Sequence, residues 1–464
     1  MEKPLFKLNS IKNCKHIHLV GIGGVSMSGI AEILHHWGFV VTGYDAASSD
    51  ITEKLISHGI KVVTDHDLSE VNTADLVIYT AAISPEDPEL IEARNMEIPC
   101  IERSDFVGYL TRTYEDTIGI SGTHGKTTTT SMISLCFIEA GLDPTIQVGA
   151  MLKEIDGNYR IGNGPYFVLE ACEYVESFLK FSPKSEIVLN IDNDHLDYFK
   201  TFDNIKKAFI KYVKLIPANG LLVVNGDDSN CLELLSYTNA KKVTYGITNK
   251  NTNFFATNIV FDDDGFASFD VYCDNKFYER MTLHVPGMHN VQNALACTAL
   301  CHEYGISKEV IQSALDKFTG AYRRFEYKGN FGKVRVYDDY GHHPTEIVAT
   351  AKALMNKKYH ESWVVFQPHT YSRTSLLMDD FVKALLNFDH IIITDIYAAR
   401  EKNTYGVTAL NLVSRINSFH QKAVYIKDFG EIVNYIKHEV QPDDIVLTLG
   451  AGTVTKIGPM LLEK

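Results

Sequence analysis

Residues 119–127 read GISGTHGKT, and the fold of the chain turns on what this stretch is. A phosphate-binding loop usually reads G-x-x-x-x-G-K-[ST], entered from a strand and left through a helix. Here the position five before Gly125 is Ile120, and the outer glycine sits inward at Gly122. The other parts are in place. Residues 117–120 form a short apolar strand, Gly122 and Gly125 free the backbone to approach an anion, and Lys126 and Thr127 stand at a helix start. Helix N-terminal N–H groups favour phosphate oxygens, Lys reaches the outer phosphates, and the Thr hydroxyl suits Mg²⁺. The bland alternative is a glycine-rich turn between a strand and a helix.

Outward from the loop, short apolar runs alternate with Gly-, Ser- or Asp-rich turns and amphipathic helical patterns. Residues 16–21 (HIHLVG), 39–44 (FVVTGY) and 75–80 (DLVIYT) are strand-like, and 25–36 has helical spacing. Such alternation implies right-handed βαβ units and a parallel sheet. A second rhythm starts near Thr117, with a helix at 127–140 and buried strands at 166–169 and 186–191. Residues 251–286 alternate around an Asp-Asp-Asp-Gly turn, which predicts an antiparallel hairpin. The run GMHNVQNALACTALCHEYG predicts a helix capped at Asn290 and ended by Gly305. Strands at 334–338, 362–367, 390–394 and 444–449 complete a third segment. The expected fold class is therefore α/β in three domains, with boundaries 1–114, 115–320 and 321–464.

The 464 residues exceed one ordinary core, at roughly 100–200 residues per domain. A net charge of −14 argues against a general nucleic-acid or anionic-membrane binder, so a polyanionic substrate needs locally gathered positive charge. Eight cysteines without a C-x-x-C pair read as reduced, mostly buried thiols. No apolar run reaches about 18 residues. Together these predict a soluble, cytoplasmic protein without membrane insertion.

Carboxyl ends of parallel strands face one crevice. The run VLEACEYVESFL brings Glu170, Glu173 and Glu176 there, and VLNIDNDHLDYF brings Asp192, Asp194, His195 and Asp197. Carboxylates of this kind would complete a Mg²⁺ site; read plainly, Glu173 and Glu176 are solvated and His195 caps a helix. Near the N-terminus, GIGGVSMSG sets Gly21, Gly23 and Gly24 after a strand, with Asp45 ending the next. This approximates a dinucleotide fingerprint, although Ser26 replaces its third glycine, and it suits a diphosphate of some kind. In VYDDYGHHPTEI, Asp338 and Asp339 end a strand, and His342 and His343 precede Pro344, a favoured first helical residue. That cluster fits a metal site, an acid–base site or a substrate clamp. His369 and Arg373 in FQPHTYSRT, and Arg323 and Arg324 in AYRRFEY, suit charge neutralisation in phosphoryl transfer. As plain structure, the His342–His343 pair caps its helix and the Arg residues are ordinary surface charges.

Taken in order, GTHGKTTT, DNDHLDYF, HNVQNA, RRFE, DDYGHHPTE, QPHTYSRT and LGAGT resemble the Mur ligases over essentially the whole chain. The resemblance implies a Rossmann-like N-terminal domain for a UDP substrate, a central P-loop-type ATPase domain with a mixed sheet, and a Rossmann-like C-terminal domain. It implies ATP and Mg²⁺, with UDP-N-acetylmuramate and L-alanine as substrates joined through an acyl phosphate in peptidoglycan precursor synthesis. By matched position, Gly122, Thr123, His124, Gly125, Lys126, Thr127 and Thr128 would hold the ATP phosphates, and Asn290 and Asn293 the adenine. Arg324, Asp339 and His343 match positions contacting nucleotide or amino acid. Thr127, Glu170 and His195 would hold the metal, and Gly21, Gly23, Gly24, Asp45, His342 and His343 the substrates. Lys126, His195, His343 and Arg373 would serve catalysis, with His195 or His343 taking a proton from the amine. Where the family often has Asp-Glu-Ser, this chain has Cys172-Glu173-Tyr174, and Thr370 stands where some relatives carry Arg. A murein-peptide recycling ligase shares the HHPT motif, and a nicotinamide-dependent dehydrogenase or a non-catalytic nucleotide-binding regulator remain alternatives. Oligomeric state, monomer or dimer, stays open.

Overall fold

The computed structural model describes residues 11–399, 401–419 and 423–463, and its strands form three sheets. The first runs, edge to edge, Lys61–Val63, Val40–Tyr44, His16–Val20, Leu76–Tyr79, Cys100–Glu102, all parallel. Chain order reverses beside His16–Val20, and in such sheets the crevice opens at the carboxyl ends of the strands flanking that point. Gly21–Gly24 sits there, ahead of the helix Val25–His36.

In the central sheet, Asp116–Ser121 lies between Tyr166–Glu170 and Ser185–Val188, parallel to both. All its residues are buried, as a strand covered on both faces requires. The helices Lys126–Glu139 and Met288–Glu303 share one hydrophobic core on one side, and Phe202–Val213 packs into another. Because the three strands end at one edge, the glycine loop, Glu170 and residues 189–195 leave side by side.

The far flank is antiparallel: Phe254–Phe261, Phe266–Cys273 and Lys276–Pro286 form the expected hairpin region, so the sheet is mixed. Its turn is tied by Asp262, whose Oδ1 accepts from the backbone N–H of Asp264 and Phe266 at 2.9 Å each. The turn reaches the C-terminal domain. Lys358 N donates to Asp263 O at 3.0 Å, Lys357 Nζ donates to Asp264 O, and the Lys357 ammonium lies between the rings of Phe266 and Tyr337.

The third sheet runs Glu326–Phe331, Val334–Asp339, Ile445–Leu449, Ser362–Phe366, His390–Ile393, Ala423–Tyr425, parallel except for its first strand. The α/β expectation with a mixed central sheet is met.

Two local expectations are corrected. The helix expected to be capped at Asn290 starts earlier, after Gly287 (φ +97°). Asn290 is inside it, buried, with Nδ2 donating to Pro286 O at 2.8 Å. The strand expected to reach Ile191 ends at Val188, and Asn190 turns beneath the glycine loop, where its carbonyl accepts from Thr123 N at 3.1 Å. No helix among the described residues is long and apolar enough to cross a membrane.

Candidate active site

The inward shift of the outer glycine has a geometric reason. Gly122 has φ +130° and a Cβ there would lie 3.0 Å from Leu189 Cβ; Gly125 has φ +86° and its Cβ would lie 2.7 Å from Asn293 Oδ1. Both positions reject side chains on backbone and on space. The helix Lys126–Glu139 opens directly after Gly125, so its free N–H groups line the loop.

Lys126 is folded against that loop. Its ammonium donates to the carbonyls of Gly122 and Thr123 (the latter at 3.0 Å) and pairs with Glu173 Oε2 at 3.0 Å. Burial opposes its charge, but the Glu173 carboxylate outweighs that and the pKa is raised. Glu173 is 2% exposed, so the reading of it as a solvated turn residue is corrected. Glu176 does face solvent and pairs with Lys211.

His124 bridges two domains. Nε2 is 2.9 Å from Asp192 Oδ2, and Nδ1 is 3.5 Å from Glu346 Oε1. Burial works against the imidazolium, yet the hydrogen bonds to Asp192 and Glu346 prevail and lift its pKa to about 9. Thr345 Oγ1 also donates to Asp192 Oδ2, at 2.7 Å. The ligand atoms of His124, Asp192 and His343 come within 4.8 Å of one another. His124 is hydrogen-bonded to Asp192, while His343 meets His124 only by ring contact, with centroids 5.2 Å apart.

His343 caps the helix Pro344–Met355: Nδ1 accepts from Thr345 N at 3.3 Å, and Glu346 reaches back to His343 N at 3.1 Å. Since Nδ1 accepts, Nε2 carries the hydrogen, and it lies 3.3 Å from Asn193 O. Burial lowers the His343 pKa. The reading of His343 as a helix cap is therefore met. Arg373 Nη2 donates to Asp194 Oδ1 at 2.9 Å; burial opposes the Asp194 charge, but His195 and Arg373 hold its carboxyl well below the usual range. Through these contacts the C-terminal domain is engaged with the loop that follows Val188.

Two cavities of about 510 Å³ each flank the contact. The first is lined by Gly125, Thr128, Asn290, Asn293, Arg324 and Asp339. There Arg324 Nη2 donates to Thr127 Oγ1 at 3.2 Å, and Arg324 Nε is buried without a partner. Asp339 accepts from Phe325 N and Gly341 N at 2.7 and 2.6 Å, and burial lifts its pKa to about 6. The second cavity is lined by Tyr174, His195, His342, His369, Arg373 and Tyr397. Burial keeps His342 neutral, with a pKa near 4; burial and then Arg373 do the same for His369.

His195 sits at φ +54°, its ring 4.7 Å from that of Tyr174 and Nε2 3.8 Å from Asp194 Oδ2. Glu170 Oε1 accepts from Gly149 N at 2.6 Å. The Asp197 side chain lies outside the described residues. Arg323 lines neither cavity: it pairs with buried Asp338 at 3.0 Å and donates to Gly450 O and Gly452 O, tying the third sheet together.

The N-terminal loop differs in kind. Gly21 (φ +82°) and Ile22 donate to Tyr44 O, and Gly23 N donates to Asp45 Oδ2 at 2.9 Å. A Cβ on Gly23 would meet that oxygen at 2.9 Å and Thr52 Cγ2 at 2.8 Å. Ser26, the departure from the dinucleotide fingerprint, accepts from Gln147 Nε2 at 2.5 Å and Arg103 Nη1 at 3.3 Å, so it contacts the central domain.

Sequence reasoning missed Glu346, Asn190 and Tyr397. Glu346 had a signal, three residues after His343 in a capping-box spacing; Asn190, whose Oδ1 accepts from His124 N at 2.8 Å, had none.

Three family models match in succession: the Mur ligase family catalytic domain at 16–115, the Mur ligase middle domain at 120–301 and the Mur ligase glutamate ligase domain at 323–452. The chain belongs to the Mur ligase family. Among relatives, it is 49% identical to the UDP-N-acetylmuramate–L-alanine ligase of Acetivibrio thermocellus, over 97% of this chain and 96% of that one. The crystal structure of the UDP-N-acetylmuramate-alanine ligase of Thermotoga maritima is similar at TM-score 0.82 and 28% identity, covering 97% of this chain and 98% of that one. A murein peptide ligase from Psychrobacter arcticus shares the fold at TM-score 0.73 and 21% identity, over 97% and 98%.

Proposed function

We propose that this chain joins L-alanine to the lactyl carboxylate of UDP-N-acetylmuramate, driven by ATP, in the cytoplasm. The observation that carries the reading is the placement of Arg324 in one cavity and Arg373 in another at the junction of the central and C-terminal domains, with Lys126 following Gly125 at the wall of the first. A carboxylate does not accept an amine until one oxygen becomes a leaving group. Phosphoryl transfer from ATP supplies that, and the amine of alanine then attacks the acyl phosphate and expels phosphate.

Each residue has a task in this reading. The N–H groups after Gly125 and the Lys126 ammonium stabilise charge on the transferring phosphoryl group. Lys126 must exchange its bonds to Gly122, Thr123 and Glu173 for phosphate oxygens as ATP enters. Asn290 and Asn293 line the end of the first cavity that would take the base, and the unpartnered Nε of Arg324 is a donor awaiting an anion. The donor set of Thr127, Glu170 and His195 is an oxygen-rich set with one imidazole, which fits Mg²⁺. When bound, Mg²⁺ would neutralise phosphate charge.

His342 and His369 are neutral at pH 7, so the second cavity presents Arg373 as its cation, suited to the carboxylate of alanine or the acyl phosphate. His343 has both nitrogens engaged and acts as a positioning residue. The Gly21–Gly24 loop and Asp45 would receive the uridine diphosphate part.

The test is phosphate release with ATP, Mg²⁺ and UDP-N-acetylmuramate, comparing L-alanine with L-Ala-γ-D-Glu-diaminopimelate. Turnover with free L-alanine is expected. Turnover with the tripeptide alone would replace this reading with the recycling ligase, which the 44–49% identity to alanine-adding relatives does not favour.

A further inference from the structure

Three thiols outside the active site meet between the two helices that carry it. Cys136 lies near the end of Lys126–Glu139, and Cys297 and Cys301 stand four apart on one face of Met288–Glu303. The Sγ of Cys136 is 3.6 Å from that of Cys297, which is 3.9 Å from that of Cys301, and all three lie within 4.8 Å of one another. None of the three residues is exposed, and they belong to the core that contains Phe137, Leu300 and Phe318.

Most buried cysteines serve as small apolar side chains. Three sulfurs converging on one point, from two helices 161 residues apart in sequence, also make a trigonal set of soft donors. No imidazole or carboxylate joins the group among the described residues. Charge then decides what the set can take. Three thiolates around a mono- or divalent ion leave net negative charge in an apolar core, which is costly. Burial pushes the Cys297 and Cys301 thiols up, so they hold their protons, while the hydrogen bonds from Cys297 and then Cys301 pull the Cys136 thiol down to about 5.

We propose that Cys136, Cys297 and Cys301 form a binding site for a trivalent thiophilic species, arsenite being the representative. Arsenite is neutral As(OH)₃ at pH 7, and its product with three thiols is neutral too. Each thiol passes its proton to a hydroxyl that leaves as water; three As–O bonds break, three As–S bonds form, and arsenic stays trivalent. The product leaves no net charge in the core. Occupancy ties the helix bearing Lys126 and Thr127 to the helix bearing Asn290 and Asn293.

The experiment is native mass spectrometry of the reduced full chain with arsenite. The expected result is one arsenic gained per chain with three hydrogens lost, retained in Cys273→Ala and lost in Cys297→Ala. Should Cys297→Ala fail to fold, the near-isosteric Cys301→Ser serves in its place, folding being checked by circular dichroism. No adduct on the folded wild-type chain, an adduct spanning only two thiols, an adduct that survives removal of Cys297 or Cys301, or a Cys136–Cys297 disulfide formed in its stead would each overturn the proposal.

Discussion

The two glycine-rich loops of this chain invite comparison. Each follows a parallel strand, opens a helix and holds a glycine in the left-handed region. Around the central loop stand Lys126, Arg324 and protonated His124; at the N-terminal loop a carboxylate, Asp45, already occupies the N–H of Gly23. The glycines admit a backbone to close range, but the charges around them decide what is admitted. A triphosphate needs the first surroundings. The second suit a ligand whose diphosphate is one part among several, with hydroxyl groups for Asp45 to meet.

The sharpest way to break the comparison is Lys126→Ala. It should lower kcat for phosphate release by roughly 10³-fold, about the loss seen when a transition-state donor is removed. Because it also strands buried Glu173, Lys126→Ala combined with Glu173→Gln should restore the thermal midpoint but not turnover. Near-normal kcat in either variant would show that the loop is not the phosphoryl site.

Arg373→Ala comes next. It leaves Asp194 buried without its partner, a change that costs about 3–5 kcal/mol when a buried pair is broken. Measured by steady-state kinetics, kcat should fall by roughly 10²-fold through misplaced substrates, and the thermal midpoint should drop. A variant with full stability and full kcat would remove Arg373 from the site.

At the other loop, Gly23→Ala should cost roughly 1–3 kcal/mol by overpacking against Thr52 and Asp45. The KM for UDP-N-acetylmuramate should rise while the KM for ATP holds. Equal rises in both would erase the distinction between the loops.

The last test is a pH dependence. His124 has its folded pKa raised to about 9 from 6.5, so the folded chain binds the extra proton between those values. Its contribution to stability is complete below about pH 6.5 and is lost as pH rises toward 9. Thermal midpoints across that window should therefore fall more steeply for the natural chain than for His124→Asn. Parallel curves would mean that the bridge to Asp192 and Glu346 does not hold a proton.

Much of this was legible because it is local. A strand, a glycine pair and a Lys-Thr dipeptide lie within the eleven residues 117–127, and Pro344 after His343 marks a helix start. What was not legible depends on distant partners. Glu173 looks like a turn residue until Lys126, 47 positions away, closes over it. Ser26 looks like a defect in a fingerprint until Gln147 and Arg103 reach it. Asn290 has the composition of a cap, but Gly287 can adopt φ +97° and starts the helix first. The positions of Arg323 and Arg324, adjacent in sequence, diverge because one meets Asp338 within its own sheet and the other meets Thr127 across the domain junction.

The hairpin turn at 262–265 touches the C-terminal domain through Lys357 and Lys358, while the chain itself passes between the same two bodies near Gly320. Two fixed points leave a rigid body a single freedom, rotation about the line that joins them. So long as the Lys357 contact holds, any opening of the C-terminal domain is confined to rotation about that line. The contacts of His343 with Asn193 and of Arg373 with Asp194 would then part and re-form together.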